Sequence, residues 1–472
     1  RSPELANSTD YFTSVGHVAT ELDSDSTKLL LTIPSLYYAQ INDVLLAALS
    51  IALQKWARLS YSLELNGPLI GLEGHGREIL SELNRATGWF TSLFPVRLPV
   101  FSLTNPKESF DVMIKAVKEC LRQFPDNGLG YGVLKYLDPQ TRQEFREQRR
   151  PEIGFNYLGR FDQLNVSSEE WSIDQQGFEV STEQDIRARL ALLEINTLVN
   201  TAGSFQIDIT HFDKLHSTAD IKVLCDIFKD TLVELSQVCS RHTTRQFTPS
   251  DFPLALNYLE LNQQPVLSQA VLDDVAARYT DYEDILPLTP LQQGLVFESV
   301  SRPKDVPDHY HVNLQVTLSG DLNIAALSRA WELFLTRHRV LRMAVLPFGM
   351  ASGLAVVSSQ AKNPLRMIPT SGSVVERTQS LLALDVAEPF DIFSGPLIRA
   401  QITELSHARF LLLLSNHHLV LDGWSMPMMV DEVFKLYAED VRLLENADSQ
   451  SSTVTTLDAA FDWNTYLAWL QR

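Results

Sequence analysis

Segments of strand length and of helix length alternate along the second half of the chain, and this alternation limits the fold more than any other feature. The helical pattern is clearest at residues 426–444, where Met429, Val430, Val433, Phe434 and Tyr437 share one face. The sequence predicts helices at 290–300, 324–338 and 426–444, and strands at 311–318, 354–358, 397–404 and 409–415. This order predicts an α/β fold or an α+β sandwich.

The first half has the same mixed character, and a weakly patterned stretch separates it from the second. In this half the sequence pattern predicts a short apolar run and a long helix within 28–56, a helix at 107–124, a strand pair within 195–213 and a helix at 217–239. Because periodicity is weakest over residues 241–280, we place a linker there. The predicted domains are therefore residues 1–240 and 281–472, the second containing a polar loop at 446–456.

The composition excludes several classes of function. The 472 residues carry a formal net charge of −19 and no dense run of Lys and Arg, so we expect no nucleic-acid partner. No apolar stretch reaches membrane-spanning length and the first residues lack a secretory signal, which predicts a cytoplasmic protein without a membrane partner. Three scattered cysteines predict buried thiols rather than disulfides or a zinc site. We expect no metal and no directly bound cofactor.

The most specific motif directly follows the predicted strand 409–415. Residues 416–425 read Asn-His-His-Leu-Val-Leu-Asp-Gly-Trp-Ser, and a strand that ends in this way can present an imidazole at its exit. The motif resembles the HHxxxDG signature of condensation domains in nonribosomal peptide synthetases, a superfamily that includes chloramphenicol acetyltransferase. Further segments resemble condensation-domain motifs in the expected order: LPLTPLQQG at 286–294, RHRVLR at 337–342 with Arg339 in place of the usual acid, and YLAWL at 466–470.

The resemblance implies roles for the residues of this motif. His418 would accept a proton from, or hydrogen-bond, the amine that attacks a carrier-bound thioester. Gly423 would bring a backbone N–H close to the developing oxyanion. Asp422 would hold the loop by pairing with an arginine, for which Arg342 is one candidate, and His417 would pack inward.

The first half contains a second set of motifs. LEGHGRE at residues 72–78 is, on its physical character alone, an exposed turn, yet it resembles the EGHGRE motif of epimerisation domains. Other segments resemble the remaining epimerisation motifs in family order: IND at 41–43, RATGWFTSLFP at 85–95, NGLGYG at 127–132 and FNYLGRF at 155–161.

Epimerisation moves a proton from one face of an α-carbon to the other, so it needs two acid–base groups beside a thioester. The resemblance makes Glu73 one of them, and the other the second histidine of an HHxxxDG motif. Residues 1–270 contain no such motif, and we expect it in a lobe that precedes residue 1. By resemblance, Asn156 and Tyr157 would bind the enolate oxygen, although Tyr157 is equally compatible with a packed aromatic. His75 is expected to be structural.

Together, the resemblances predict the second lobe of an epimerisation domain followed by the first lobe of a condensation domain, both chloramphenicol acetyltransferase-like. The implied substrates are thioesters on the phosphopantetheine arms of carrier domains, with a D-configured donor and an L-configured acceptor. Adenylation domains of the same synthetase would be further partners. Because each site is half-built, we expect the chain alone to catalyse neither reaction. Two alternatives stay open: a docking module for carrier domains without catalysis, and a stand-alone HxxxD acyltransferase.

Overall fold

The computed structural model describes residues 15–77, 81–100, 106–148, 150–162, 191–303, 306–445 and 459–472. The chain divides into two compact units, residues 1–248 and 249–472. A separate hydrophobic core lies in each unit. The predicted polar loop at 446–456 lies outside the described residues.

The first unit is built around one sheet whose strands come from both of its ends. Its elements are β1 (Val15–Leu22), α1 (Ser24–Leu36), α2 (Ile41–Tyr61), β2 (Leu69–Gly74), β3 (Ser92–Arg97), α3 (Pro106–Arg122), α4 (Gly130–Gly132), α5 (Arg142–Glu147), β4 (Ile153–Arg160), β5 (Leu193–Val199), β6 (Phe205–Phe212) and α6 (Thr218–Cys239). The strand order is β1-β6-β5-β4-β2-β3. Strand β4 pairs in parallel with both β2 and β5, and the other pairs are antiparallel.

The two faces of this sheet differ in chemistry because its strands alternate apolar and polar residues. Along β5, Leu193, Ile195 and Val199 are buried in the core, whereas Glu194 and Asn196 between them are half-buried. Successive side chains of a strand point to opposite faces. The apolar face packs against helices of the same core, and the opposite face is a polar surface.

Helix α2 is the centre of the first core. Its residues from Asp43 to Ala57 are buried with the exception of Lys55, and the Asp43 carboxylate accepts a hydrogen bond from the backbone N–H of Gln40 (2.7 Å), which stabilises the helix start. Among the described residues, no single helix is long and apolar enough to cross a membrane. One pair of helices, α1 and α2, bent by 111° at the break between them, meets the length and composition limits together.

The second unit contains two sheets. Its elements are α7 (Pro253–Leu261), α8 (Gln269–Arg278), β7 (Tyr282–Pro287), α9 (Pro290–Ser301), β8 (His311–Ser319), α10 (Ile324–Arg337), β9 (Met343–Val345), β10 (Leu354–Ser358), β11 (Leu365–Met367), α11 (Val374–Ala387), β12 (Ile398–Ser406), β13 (Arg409–His417), α12 (Ser425–Glu445) and α13 (Trp463–Leu470). The strand orders are β7-β10-β9 and β11-β12-β13-β8. Strand β13 is therefore an interior strand, paired on both sides.

Part of the predicted linker is folded. Within residues 241–280, helices α7 and α8 belong to the second unit. Each buries only two of its own residues, Ala255 and Leu259 in α7 and Leu272 and Val275 in α8. Two buried positions give a nine- or ten-residue helix little visible periodicity, which explains why the sequence did not predict these two helices.

Candidate functional site

His418 lies at the exposed end of interior strand β13. The strand positions it by pairing with β12 up to residue 416 and with β8 up to residue 417. The backbone N–H of His418 then donates to the carbonyl of Tyr310 (2.8 Å). The His418 side chain is exposed. Its Nδ1 lies 2.6 Å from the carbonyl oxygen of Leu421, and because a carbonyl only accepts, Nδ1 carries the proton. In the neutral ring, Nε2 therefore keeps a lone pair that can take a proton.

The neighbouring His417 is fully buried, in the inward position that the sequence predicts. Its Nδ1 accepts from the backbone N–H of Leu419 (3.1 Å), so Nε2 carries the proton and faces the Ser299 hydroxyl at 3.2 Å and the Asp308 carboxylate at 3.5 Å. Burial lowers the pKa of His417, against the raising effect of Asp308. A neutral His417 therefore ties the turn that presents His418 to the body of the unit.

Helix α9 supports the same turn from the other side. The Gln292 side chain donates to the carbonyl of Leu419 (2.9 Å), and Ser299 at the end of the same helix contacts His417. Gln292 belongs to the LPLTPLQQG segment, whose resemblance to a condensation-domain motif implies no role for this residue. Gln292, Ser299 and Asp308 are supporting residues that sequence reasoning missed, because contacts across more than a hundred residues leave no mark in local spacing.

The predicted pairing of Asp422 with Arg342 is wrong. Asp422 accepts from the backbone N–H (2.8 Å) and the hydroxyl (2.7 Å) of Ser425, the first residue of α12. Arg342 is buried elsewhere, where it donates to the carbonyl of Leu335 (3.0 Å) and to Glu283 (3.0 Å). Asp422 still holds the loop, but it does so by satisfying an unpaired N–H at a helix start.

Gly423 is exposed beside His418. A Cβ built on this residue has no protein atom within 4 Å, and its φ is not among the positive values of the chain. Neither crowding nor backbone strain within the unit therefore requires glycine here. The open space above the backbone leaves room for a substrate carbonyl to approach.

Glu73 lies on the polar face of the first unit's sheet. Its neighbour Leu72 is buried on the apolar face, so strand alternation turns Glu73 to the other side. Burial raises the pKa of Glu73, and the charge of Glu194 raises it further. Gly154 lies on strand β4 between the two, opposite Glu194, and the absence of a side chain there leaves the two carboxyl groups room to interact.

Asn156 and Tyr157 lie on opposite faces of β4. Asn156 follows the buried Phe155 and shares the polar face with Glu73. Tyr157 packs against the core, where its ring stacks on that of Phe205 with centroids 6.4 Å apart. Of the two interpretations that the sequence left open for Tyr157, the packed aromatic is the one observed.

The turn after Glu73 is held against the segment that follows it. The Arg77 guanidinium donates to the carbonyls of Ala86 and Gly88 (3.3 Å each) and lies 4.4 Å from the centre of the Phe90 ring. Gly76 has a φ of +63°, and a Cβ there would collide with the carbonyl oxygen of Phe90. His75 is exposed and its Nδ1 accepts from the backbone N–H of Arg77 (3.4 Å), a structural contact.

The described residues do not form a metal centre. No group of three or more His, Cys, Asp or Glu side chains among them is placed to hold an ion. Cys225 and Cys239 are buried free thiols, whereas Cys120 is half-buried rather than buried as predicted.

An interior strand of a mixed α/β unit thus presents an exposed imidazole whose Nδ1 is hydrogen-bonded, and a neutral imidazole of this kind can take part in acid–base chemistry. The sequence profile of the condensation domain family matches residues 3–254 and 282–459. The chain belongs to the condensation domain family and is a condensation-type protein of the kind found in nonribosomal peptide synthetases. This confirms the resemblance to condensation-type domains of peptide synthetases and the enzymatic character of the family, and the elements of the two units confirm the mixed α/β fold class.

Several synthetases are similar to the chain. It is 33% identical over 471 residues to one protein of the linear gramicidin synthase of Brevibacillus parabrevis, covering 97% of this chain and 6% of that protein. It is 32% identical over 483 residues to another protein of the same synthase, covering 100% of this chain and 9% of that protein. Among solved structures, the epimerization domain from the third module of tyrocidine synthetase B is 30% identical, with a TM-score of 0.39 over 48% of this chain and 49% of that one. The chain thus spans less than a tenth of the gramicidin synthase proteins that it matches.

Proposed function

We propose that the second unit is the first lobe of a condensation domain, which joins two carrier-bound thioesters into a peptide bond. The observation that carries this proposal is the His418 imidazole, whose Nδ1 is bound to the Leu421 carbonyl while the ring is exposed. In that tautomer Nε2 can accept a hydrogen bond or a proton from an attacking amine. Gly423 lies on the same turn with open space above its backbone, which suits an N–H that would stabilise an oxyanion.

We infer that the first unit is the second lobe of an epimerisation domain. Glu73 is a carboxyl group with a raised pKa on a polar face, which suits a group that must both release and accept a proton near neutral pH. Asn156 shares that face and is the remaining candidate for the enolate oxygen. The second acid–base group would be a histidine from another lobe, because residues 1–270 contain no HHxxxDG motif.

The two assignments together define the substrates and partners. An epimerisation unit followed by a condensation unit would deliver a D-configured donor to an L-configured acceptor, both held as thioesters on phosphopantetheine arms of carrier domains. Adenylation domains of the same synthetase would load those carriers. A single alignment to one gramicidin synthase protein spans 97% of the chain, which supports two units that follow each other in one synthetase.

The condensation proposal is tested by replacing His418 in the synthetase segment that contains this chain, its complementary lobes and its carrier domains. We expect His418→Ala to lower the rate of peptide-bond formation about 10²–10⁴-fold, the usual contribution of a positioned acid–base group. The matched control is His407→Ala, which removes an exposed histidine from the turn that precedes the opposite end of strand β13. Equal rates for the two variants would exclude the proposed role.

The epimerisation proposal is tested by exchange of the α-proton in heavy water, with an aminoacyl thioester on its carrier. We expect Glu73→Gln to slow deuterium incorporation at least about 10²-fold. Glu21→Gln is the control, because it removes an exposed carboxylate from strand β1 of the same sheet. Incorporation by Glu73→Gln at the control's rate would show that the acid–base group lies elsewhere.

The chain of 472 residues alone distinguishes these proposals from the two alternatives. We expect it to catalyse neither exchange nor condensation at an appreciable rate, because positioning by the complementary lobes contributes much of the rate. Acyl transfer from a free thioester by the chain alone, lost in His418→Ala, would favour a stand-alone acyltransferase. Normal peptide synthesis by a synthetase carrying both His418→Ala and Glu73→Gln would favour a docking module.

A further inference from the structure

A fully buried carboxylate contacts three neighbouring strands of the second unit close to His418. Asp385 lies near the end of helix α11, and its side chain is fully buried. It lies 2.8 Å from His311 Nε2 on β8, accepts from the Ser415 hydroxyl on β13 (2.8 Å) and lies 3.4 Å from Arg399 Nε on β12. These three strands are adjacent in the sheet, so one carboxylate joins all of them.

The protonation of this cluster follows from its contacts. Burial alone would raise the pKa of the Asp385 carboxyl. The hydrogen bonds from His311 and Ser415 and the charge of Arg399 outweigh burial, so this pKa is lowered from its ordinary value. Asp385 is therefore an anion at neutral pH and can only accept hydrogen bonds. The His311 Nε2 atom carries a proton and donates it to this contact.

The His311 ring is also held by an aromatic contact. Its centroid lies 5.0 Å from that of Phe390, and the guanidinium group of Arg399 lies 4.6 Å from the centre of the same Phe390 ring. Arg399 is fixed in turn by Glu388, through the carboxylate (2.8 Å) and through the backbone carbonyl (2.6 Å). The imidazole of His311 therefore has one orientation, with Nε2 towards Asp385.

Both donors to the buried carboxylate lie where β8 and β13 adjoin the His418 turn. Ser415 lies on β13 two residues before His417, and the backbone of His417 is paired with that of His311 in the register of the two strands. The residue before His311 is Tyr310, whose carbonyl accepts from the His418 backbone N–H (2.8 Å). The groups that contact the carboxylate are thus joined directly to the backbone that supports His418.

The charge of Asp385 favours a role in positioning over a role in stability alone. Desolvation of a buried ion pair cancels much of its attraction, and apolar side chains of similar volume often stabilise a core equally well. An ionised carboxylate, however, fixes the direction of each donor that it accepts from. At this place in the fold, those donors are next to the turn that presents an imidazole.

We propose that the contact between His311 and Asp385 positions the turn that presents His418 for peptide-bond formation, so that both are positioning residues. The inference rests on the proposed condensation function and adds to it two residues outside the HHxxxDG segment. When the contact is lost, the Tyr310 carbonyl can move away from the His418 N–H. The turn then no longer holds Nδ1 against the Leu421 carbonyl, and the imidazole exchanges between its two tautomers.

The test compares two replacements of His311. The variant His311→Gln keeps an amide N–H close to the position of Nε2, whereas His311→Leu has a similar volume and no donor. The matched control is His338→Leu, which removes a histidine whose Nε2 lies 3.0 Å from the Glu432 carboxylate in the same unit. Asp385→Leu removes the acceptor of the contact and should behave like His311→Leu.

The first measurement is nitrogen-15 NMR of the imidazoles in the full chain at about pH 8.5, where histidines are neutral. The His418 signals are assigned by their loss in His418→Ala. We expect the parent chain, His311→Gln and His338→Leu to show His418 in the tautomer with a proton on Nδ1. His311→Leu should show a mixture of both tautomers.

The second measurement is peptide-bond formation by the synthetase segment that contains the complementary lobes and carrier domains. We expect His311→Leu to lower kcat about tenfold, because a displaced acid–base group loses much of its effect. Its KM for the aminoacyl carrier should stay within about twofold of the parent value, since no contact with substrate is removed. His311→Gln and His338→Leu should each keep at least about half of the parental kcat.

Three results would overturn the inference. The first is a single His418 tautomer and an unchanged kcat in His311→Leu. The second is a loss in His311→Gln as large as that in His311→Leu, which would assign the effect to ring packing. The third is a folded Asp385→Leu variant that keeps the single tautomer. Circular dichroism identifies the folded variants, and if Asp385→Leu unfolds, the two His311 variants decide the matter.

The two measurements separate this inference from the proposed function. If His418→Ala makes peptide bonds at the parental rate while His311→Leu shows mixed tautomers, the catalytic role of His418 is wrong and the positioning contact stands. If His418→Ala loses activity while His311→Leu keeps a single tautomer and full kcat, the positioning contact is wrong and the condensation proposal stands.

Discussion

Glu73 on β2 and Glu194 on β5 are two carboxyl groups on one face of a sheet, separated by strand β4, where Gly154 lies opposite Glu194. Two carboxylates that interact in this way cannot both ionise freely, so the proton is retained on one of them to higher pH. Burial of Glu73 acts in the same direction and is the larger cause. The alternation of apolar and polar residues in β5 places Glu194 on the polar face. Its proximity to Glu73 depends on the strand order β5-β4-β2, which cannot be predicted from the local sequence.

Replacing Glu194 should therefore change the titration of Glu73. We expect Glu194→Gln to lower the pKa of Glu73 towards 4.5 without restoring it fully, because the burial of Glu73 is unchanged. Carbon-13 NMR of the glutamate side chains of the full chain reports this pKa directly. Glu21→Gln, on the edge strand β1, is the control and should leave the Glu73 titration in place. A Glu73 pKa that is the same in both variants would contradict the interaction.

The raised pKa of Glu73 also makes stability depend on pH. Between the ordinary value of 4.5 and the raised value, the folded state binds more protons than the unfolded state, so stability falls as pH rises through this window. The Glu73→Gln variant does not ionise at this position, so it does not lose stability in this window. Its midpoint of thermal unfolding should therefore exceed that of the parent at pH 8. The two proteins should converge at pH 4, and a difference that grows towards low pH would contradict the sign.

At the scale of elements, the sequence predicted the helices and strands whose hydrophobic pattern is visible within a single segment. Helix α6 and strands β5, β6 and β13 occur where periodicity and apolar runs place them. Strand β2 (Leu69–Gly74) includes the first three residues of the segment 72–78, which on its local character alone is predicted to be an exposed turn. It is a strand because β3 and β4 pair with it on both sides, and such tertiary pairing overrides local propensity. The motif residues His418 and Glu73 were predicted from the family resemblance. The residues that contact or surround them became visible only in the structure.

The contact of Asp422 with Ser425, in the turn between β13 and α12, can be tested by substitution. Asn has the same side-chain acceptor as Asp but no charge, so Asp422→Asn should keep the contacts with Ser425 and nearly all of the stability. Asp422→Ala loses the acceptor and should cost about 1 kcal/mol, as is usual at a helix start. Chemical unfolding of the two variants measures this difference. If Asp422→Asn were as destabilising as Asp422→Ala, an ion pair rather than a helix-start contact would hold the turn.

At the scale of the whole molecule, each unit depends on its own core, and the position of the boundary has energetic consequences. Residues Phe247 and Thr248 are buried in the first unit, where the Phe247 ring packs on Tyr38 with centroids 4.8 Å apart. Just beyond them, Phe252 is buried in the second unit. The change from one core to the other therefore takes only a few residues, although the sequence suggested a linker of forty.

Two versions of the second unit, residues 249–472 and 281–472, should accordingly differ in stability. The shorter one lacks α7 and α8 and with them the buried side chains of Phe252, Leu259, Leu272 and Val275. It also lacks Tyr279, whose hydroxyl donates to the carbonyl of Phe393 (2.7 Å). Each large apolar side chain contributes roughly 1.5–3 kcal/mol when buried, and a whole domain is stable by only about 5–15 kcal/mol. We therefore expect residues 249–472 to unfold cooperatively in urea and residues 281–472 to be largely unfolded without it. Identical unfolding midpoints would show that the two helices are a linker after all.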